Sequence, residues 1–166
     1  MKKIKILLLI LVVSFSFAMN SQNNVAHVYV GKIMENMPEV KKAEVELKDF
    51  IKVYDDQAKD INTTFAAKVQ KYQQEETTTP AELNGIRMQE IQEDQIAIRD
   101  FENQAQQDIQ KKRVDLMIPI NEKILKAINT VAETLGLDYV FDVPSQGLVV
   151  YRGKDITEDV KKELGI

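Results

Sequence analysis

The sequence predicts an α+β fold in which a long antiparallel α-helical hairpin arm projects from a small β-rich oligomerisation body. Three observations carry this. Two long runs place apolar residues at helical spacing, a polar break divides them, and β-rich stretches occur only near the two chain ends.

The chain opens MKKIKILLLILVVSFSFAMNSQ, with three lysines, an apolar run from Ile6 to Phe17 and then small residues. This reads as a secretory signal peptide over residues 1–21, with Ser16 and Ala18 at the cleavage pattern. The run is shorter than the ~20 residues of a spanning helix. No cysteine is present for a lipid anchor or a disulfide.

"VAHVYVGKI" from Val25 follows as a strand, ended by Gly31, and Ile33 to Met37 as a turn of helix. Pro38 suits the first turn of the next helix. From there Val40, Ala43, Leu47, Phe50 or Ile51, Tyr54, Ala58, Ile61, Phe65, Val69 and Tyr72 step by threes and fours, a single narrow seam. "YQQEETTTPAELNGI", Tyr72 to Ile86, breaks the pattern; Pro80 is available to start the second helix and Gly85 lies just beyond.

The second stripe runs from Leu83 and Ile86 through Ile91, Ile98, Phe101, Ala105, Ile109, Leu116, Ile120, Ile124, Ile128 and Val131 to Leu135. Asp94 and Asp108 occupy seam positions, which makes that stretch wet. Pro119 inside the run predicts a kink, and Gly136 is the residue that stops the helix. "LDYVFDV" reads as a strand, "PSQG" as a turn, "LVVYR" as another strand, and Thr157 as the cap of a last helix "EDVKKEL".

Two runs of about 40 residues each make a hairpin roughly 60 Å long, against ~30 Å across for a globular domain of this size. The hairpin is therefore expected to project, with its tip at about 76–85. The ends hold too few strands to hide their edges and apolar face, so symmetric association is the expected remedy. The division that follows is 1–21 for the leader, 22–38 with 119–166 for the body, and 39–118 for the arm.

Loss of the leader removes Lys2, Lys3 and Lys5, leaving 19 basic against 26 acidic residues, which argues against nucleic acid as a partner. With no cysteine, one histidine and hardly a serine beyond Ser145 after the leader, no nucleophile triad can be assembled, and no enzyme is expected. His27 alone in a strand reads as a structural residue, not a metal ligand. The adjacent acids Asp55–Asp56, Glu75–Glu76 and Glu93–Asp94 point about 100° apart on a helix and read as a solvated face. "GLVVYRGKD" has one residue too many between its glycines, and Asp155 where a P-loop needs Ser or Thr, so no ATP-driven cycle is expected. No cofactor is expected either. Asn62-Thr63-Thr64 matches a glycosylation acceptor but falls on a helix.

The arm's rings and aliphatics have two readings. Phe50, Tyr54, Phe65, Tyr72, Ile91, Ile98 and Phe101 pack the seam, or some of them face a space between arms and contact a partner there; a seam two residues wide cannot hide them all.

The order of "VYVGKIMENMPEVKKAEVEL", a long polar hairpin, "LGLDYVFDV" with a following strand, and "DITEDVKKEL" resembles the Skp/OmpH family of periplasmic chaperones over nearly the whole chain beyond the leader. The resemblance implies a jellyfish-shaped homotrimer in the periplasm whose arms enclose a cavity. It implies an ATP-independent holdase for unfolded outer-membrane proteins, without catalytic residues. Carried over by position, Ala26, Val28, Val30, Tyr139, Val140, Phe141, Leu148, Val149 and Val150 would build the body, with Ile156, Val160 and Leu164 on the closing helix. Pro119 would be the hinge of the arm. The acidic tip, with Glu75, Glu76 and Glu82 against Lys71 and Arg87, departs from basic relatives and argues against direct membrane contact. The rival expectation is a structural coiled-coil module that docks tip to tip in an envelope assembly.

Overall fold

The computed structural model describes residues 24–143 and 150–166. In order these form strand β1 (Val25–Val28), helix α1 (Val30–Met34), helix α2 (Pro38–Glu75), a 3-10 turn (Glu76–Thr78), helix α3 (Ala81–Leu135), strands β2 (Tyr139–Asp142) and β3 (Lys154–Asp155), and helix α4 (Thr157–Leu164). The chain is mostly helical, with a small sheet. The described residues divide into two compact units, 24–33 with 126–143 and 150–166, and 34–125.

The first unit is built on β1, which lies between β2 and β3 and pairs with both in parallel. Ala26 faces Val140 on one side and Lys154 on the other, and His27 faces Phe141 and Asp155. A central strand loses solvent from both faces, and Ala26, His27 and Val28 are all buried. Ala127 and Val131 of α3, Val143, and Ile156 and Val160 complete the core with Ile33. The backbone entering α1 is held by side chains: the Tyr29 amide donates to Thr157 Oγ1 and the Val30 amide to Asp142 Oδ1. At Gly153 a Cβ would stand 3.0 Å from the Val25 carbonyl oxygen, so the close approach of this segment to β1 requires glycine.

Several expectations are corrected here. Val30 starts α1 and does not continue the strand, because Asp142 accepts from its amide at the helix start. Of the predicted strand "LVVYR", Val150, Tyr151 and Arg152 are not extended into a ladder, while Leu148 and Val149 lie outside the described residues, as do the turn at Pro144 and the leader. The strands after α3 form no hairpin with each other, since β1 lies between them. Thr157 is the first helical residue of α4 and not its cap; the Asp155 carboxylate takes that role, accepting from the Thr157 amide at 2.9 Å and from its hydroxyl. Membership of the body is not among these corrections: in the single chain Ala26 and Val28 are each 1% exposed, and Tyr139 and Val150 are 65% and 70% exposed and open to a further chain.

The second unit is a pair of helices. No residue of α2, 38 residues long, is buried; Met37, Ala105, Ile120 and Ile124 are the buried apolar residues among those described in this unit. α3 runs 55 residues and passes through Pro119 without interruption. Gly136, with φ 64°, ends it as expected, its amide returning to Glu133 and that of Leu137 to Ala132. The break is shorter than its composition suggests. Gly85 and Ile86 belong to α3, because Asn84 donates its side-chain amide to the carbonyls of Glu76 and Thr79 and secures the turn from within the helix. Among the described residues no helix is long and apolar enough to cross a membrane.

Candidate functional site

The candidate site is the surface shared by α2 and α3. A helix with one narrow apolar stripe needs a partner to define its register, and here polar rungs supply it. From one end of α2 to the other, Glu39 pairs with Lys123, Glu46 with Lys112, Tyr54 with Asp108, Lys68 with Asp94, Tyr72 with Glu90, and Glu75 with Arg87. As the α2 position rises the α3 position falls. Every rung has a carboxylate as acceptor.

The rungs leave an electrostatic signature. The Tyr54 hydroxyl donates to Asp108 Oδ2 at 2.9 Å, and that bond, with burial and the carboxylate's charge, raises its pKa. Tyr72 is raised in the same way by Glu90. The hydrogen bond to Asp94 raises Lys68, and the bond from Lys123 lowers Glu39. Asp94 and Asp108, read from the sequence as wet interruptions of the seam, thus accept from donors on α2. That pairing links residues 26 and 54 positions apart and has no local signal in the sequence.

All seven predicted client-contact residues, Phe50, Tyr54, Phe65, Tyr72, Ile91, Ile98 and Phe101, are half-buried. Tyr54 packs edge-on against Phe50 at 5.3 Å between centroids and meets the Phe101 ring at 5.9 Å. Phe65 and Ile98 line an open cleft of about 420 Å³ with Ile61 and Ala97. Tyr72 lies at the turn, where the Arg87 guanidinium sits 4.6 Å over its ring and also donates to Glu75 at 2.6 Å and to Thr79. Beside Pro119 lies another open space of about 320 Å³, with Ala43, Leu116 and Ile120 in its wall. Leu83 and Ile86, expected to begin the second stripe, stay on the outside, and the sequence did not single out Met88, Val114, Ile118 or Leu125. Leu83, Ile86 and Met88 are 43%, 51% and 64% exposed near the turn, and Val114, Ile118 and Leu125 lie along one face of α3, also exposed.

In the first unit, His27 is 8% exposed, with Tyr29 and Tyr151 against its ring at 5.8 and 5.0 Å and its Nε2 3.9 Å from Asp155. Burial works to raise the Asp155 pKa, but the Thr157 hydrogen bonds and the His27 and Lys32 charges outweigh it and hold it low. No group of three or more metal-ligating side chains occurs among the described residues. Asn62 and Thr63 donate to carbonyls of their own helix.

The family model described as outer membrane protein (OmpH-like) matches residues 24–164. Long paired helices and a small three-stranded sheet define the class, and the chain belongs to the OmpH-like family. Among solved structures, it is similar to a Caulobacter crescentus CB15 protein assigned as an OmpH-like outer membrane chaperone, with a TM-score of 0.72 and 12% identity, covering 88% of this chain and 87% of that one. No curated protein matches it.

Proposed function

We propose that this chain is an ATP-independent periplasmic holdase chaperone, which binds unfolded outer-membrane proteins between helical arms and prevents their aggregation. The observation that carries the reading is that α2 buries none of its 38 residues although it bears an apolar stripe. Half-covered apolar surface spread along a polar scaffold suits many weak contacts with an unstructured client, and avidity then supplies retention. No single contact is strong enough to demand nucleotide-driven release.

In this proposal α2 and α3 form an antiparallel hairpin arm, residues 39–118, on a body of residues 22–38 and 119–166. Three copies share that body, and the signal peptide of residues 1–21 exports the chain. The exposed Tyr139, Phe141, Val150 and Tyr151 support a shared body, because together they are an apolar surface that a second chain can cover. The Tyr139 and Phe141 rings are already stacked on one face of β2. Pro119 acts as the hinge: it cannot donate to the carbonyl one turn back, and the space beside it gives the helix room to bend. The acidic turn keeps the arm from lipid. Substrate chemistry is absent from the reading, as are cofactors and nucleic acid.

The test is aggregation of a denatured outer-membrane barrel diluted from urea without nucleotide. Suppression at about one trimer per client is expected; unabated aggregation with the oligomer intact overturns the proposal. A docking module is the second reading, and exposed Leu83, Ile86 and Met88 near the turn favour it. Replacing Leu83 and Ile86 by serine separates the two: a holdase keeps its activity, while a docking module loses its folded envelope partner.

A further inference from the structure

Between the Lys68–Asp94 rung and the rings of Tyr54 and Phe101, the two long helices do not fill the space between them. Thr64 on α2 and Ala97 on α3 are short and exposed, and the cleft of about 420 Å³ opens beside them, walled by Ile61, Phe65 and Ile98. An apolar cleft left open forfeits the contacts of its lining, yet these walls are only half-buried. The volume lies in the range of sites that enclose a small organic group.

The rim is acidic. Asp60 is exposed at one side and Asp94 stands at the other, and Lys68, the one cation among the described residues of the rim, is already hydrogen-bonded to Asp94. Two carboxylates against one ammonium leave a net negative edge around an apolar floor.

Resting on the holdase reading, we infer that this cleft is a side-chain receptor for the client: it takes one aromatic or large aliphatic side chain whose neighbour in sequence is Lys or Arg. The apolar group fills the space beside Phe65 and Ile98, and the neighbouring cation lies against Asp60. A phenyl ring meets Phe65 in an offset or edge-on arrangement. Unfolded chains of many sequences carry such pairs, so the cleft biases the register of a held client without selecting one protein.

The experiment uses the full oligomer with Ile methyl groups labelled, and three flexible Gly/Ser peptides carrying Phe-Lys, Phe-Glu or Ser-Lys. Phe-Lys is expected to shift the Ile61 and Ile98 signals and to bind about fivefold tighter than Phe-Glu. Ala97→Phe, which fills the cleft from its exposed rim, abolishes these shifts with helix content and oligomer mass unchanged, and Asp60→Asn narrows the gap between Phe-Lys and Phe-Glu. Equal binding of Phe-Lys and Phe-Glu, or shifts confined to Ile118 on the exposed face of α3, overturns the cleft. Equal protection of an unfolded barrel by wild type and A97F, with Ile61 and Ile98 unmoved by that client, removes the cleft and leaves the holdase. Failure of wild type to protect it removes both.

Discussion

Ile156 and Phe65 are both large apolar side chains, yet the first is 0% exposed in the unit built on β1 and the second is only half-buried between α2 and α3. In the first unit three strands, the last part of α3 and α4 converge, so a side chain meets neighbours in all directions. In the second, two helices meet along one line, and a side chain beside that line keeps a wet flank. The contrast teaches that dimensionality decides what can be covered: a core can close around β1, whereas the helix pair keeps apolar surface half open along its length.

The largest effect should come from breaking the core. Ile156→Ala is expected to cost about 2–5 kcal/mol, read as a lowered urea midpoint, whereas Ile61→Ala in the helix pair should cost about 1 kcal/mol, because a half-buried residue leaves no enclosed cavity. Similar costs for the two would erase the contrast. Gly153→Ala comes next. The new methyl meets backbone at Val25, which cannot rotate away, and a loss of about 1–3 kcal/mol should follow in the first unit.

The rungs of the helix pair should matter less. Arg87→Ala removes the bonds to Glu75 and Thr79 and the contact with Tyr72, all partly solvated, and is expected to cost no more than about 1 kcal/mol. Faster amide exchange should be confined to the turn and the adjoining ends of α2 and α3.

The smallest effect sharpens the comparison at high pH. In the first unit the Tyr29 hydroxyl donates to Tyr151 at 3.0 Å, and this bond first, then burial and the charges nearby, push its pKa up to about 12. A phenol whose folded value is raised favours the folded state fully below its ordinary value of about 10 and loses that contribution as pH rises toward 12. The Tyr29→Phe variant should lose stability at neutral pH and show a flatter decline between those values. Identical slopes in wild type and variant would contradict this. At the other end of the scale, Glu39 is held low by Lys123, so its contribution is present above the ordinary carboxylate range and fades as acid takes the pH below it.

The long helices were legible because their signals are local. Pro38 opens α2, Gly136 closes α3, and threes-and-fours spacing spans what lies between. What was misread depends on distant partners. Val28, Tyr29 and Val30 carry strand propensity, but Asp142, 112 residues away from Val30, accepts from the Val30 amide where α1 begins. Gly85 looks like a breaker, yet Asn84 ties the turn from inside the helix, so a single glycine is tolerated there. The parallel pairing of β1 with β2 joins Val25 to Tyr139 across both long helices, which no window of sequence contains. The candidate site was half legible: its rings and aliphatics announced a seam, but the cleft at Thr64 and Ala97 follows from which short residues stand opposite each other. That depends on register, and the rungs set register.

Light scattering on the purified chain at working concentration is the sharpest test of the proposed holdase, because helix pairs can enclose a client only if several of them share one base. A mass three times that of one chain is expected, with the stacked Tyr139 and Phe141 protected from solvent. A stable, fully folded single chain under the same conditions, with those rings still open to water, would contradict it.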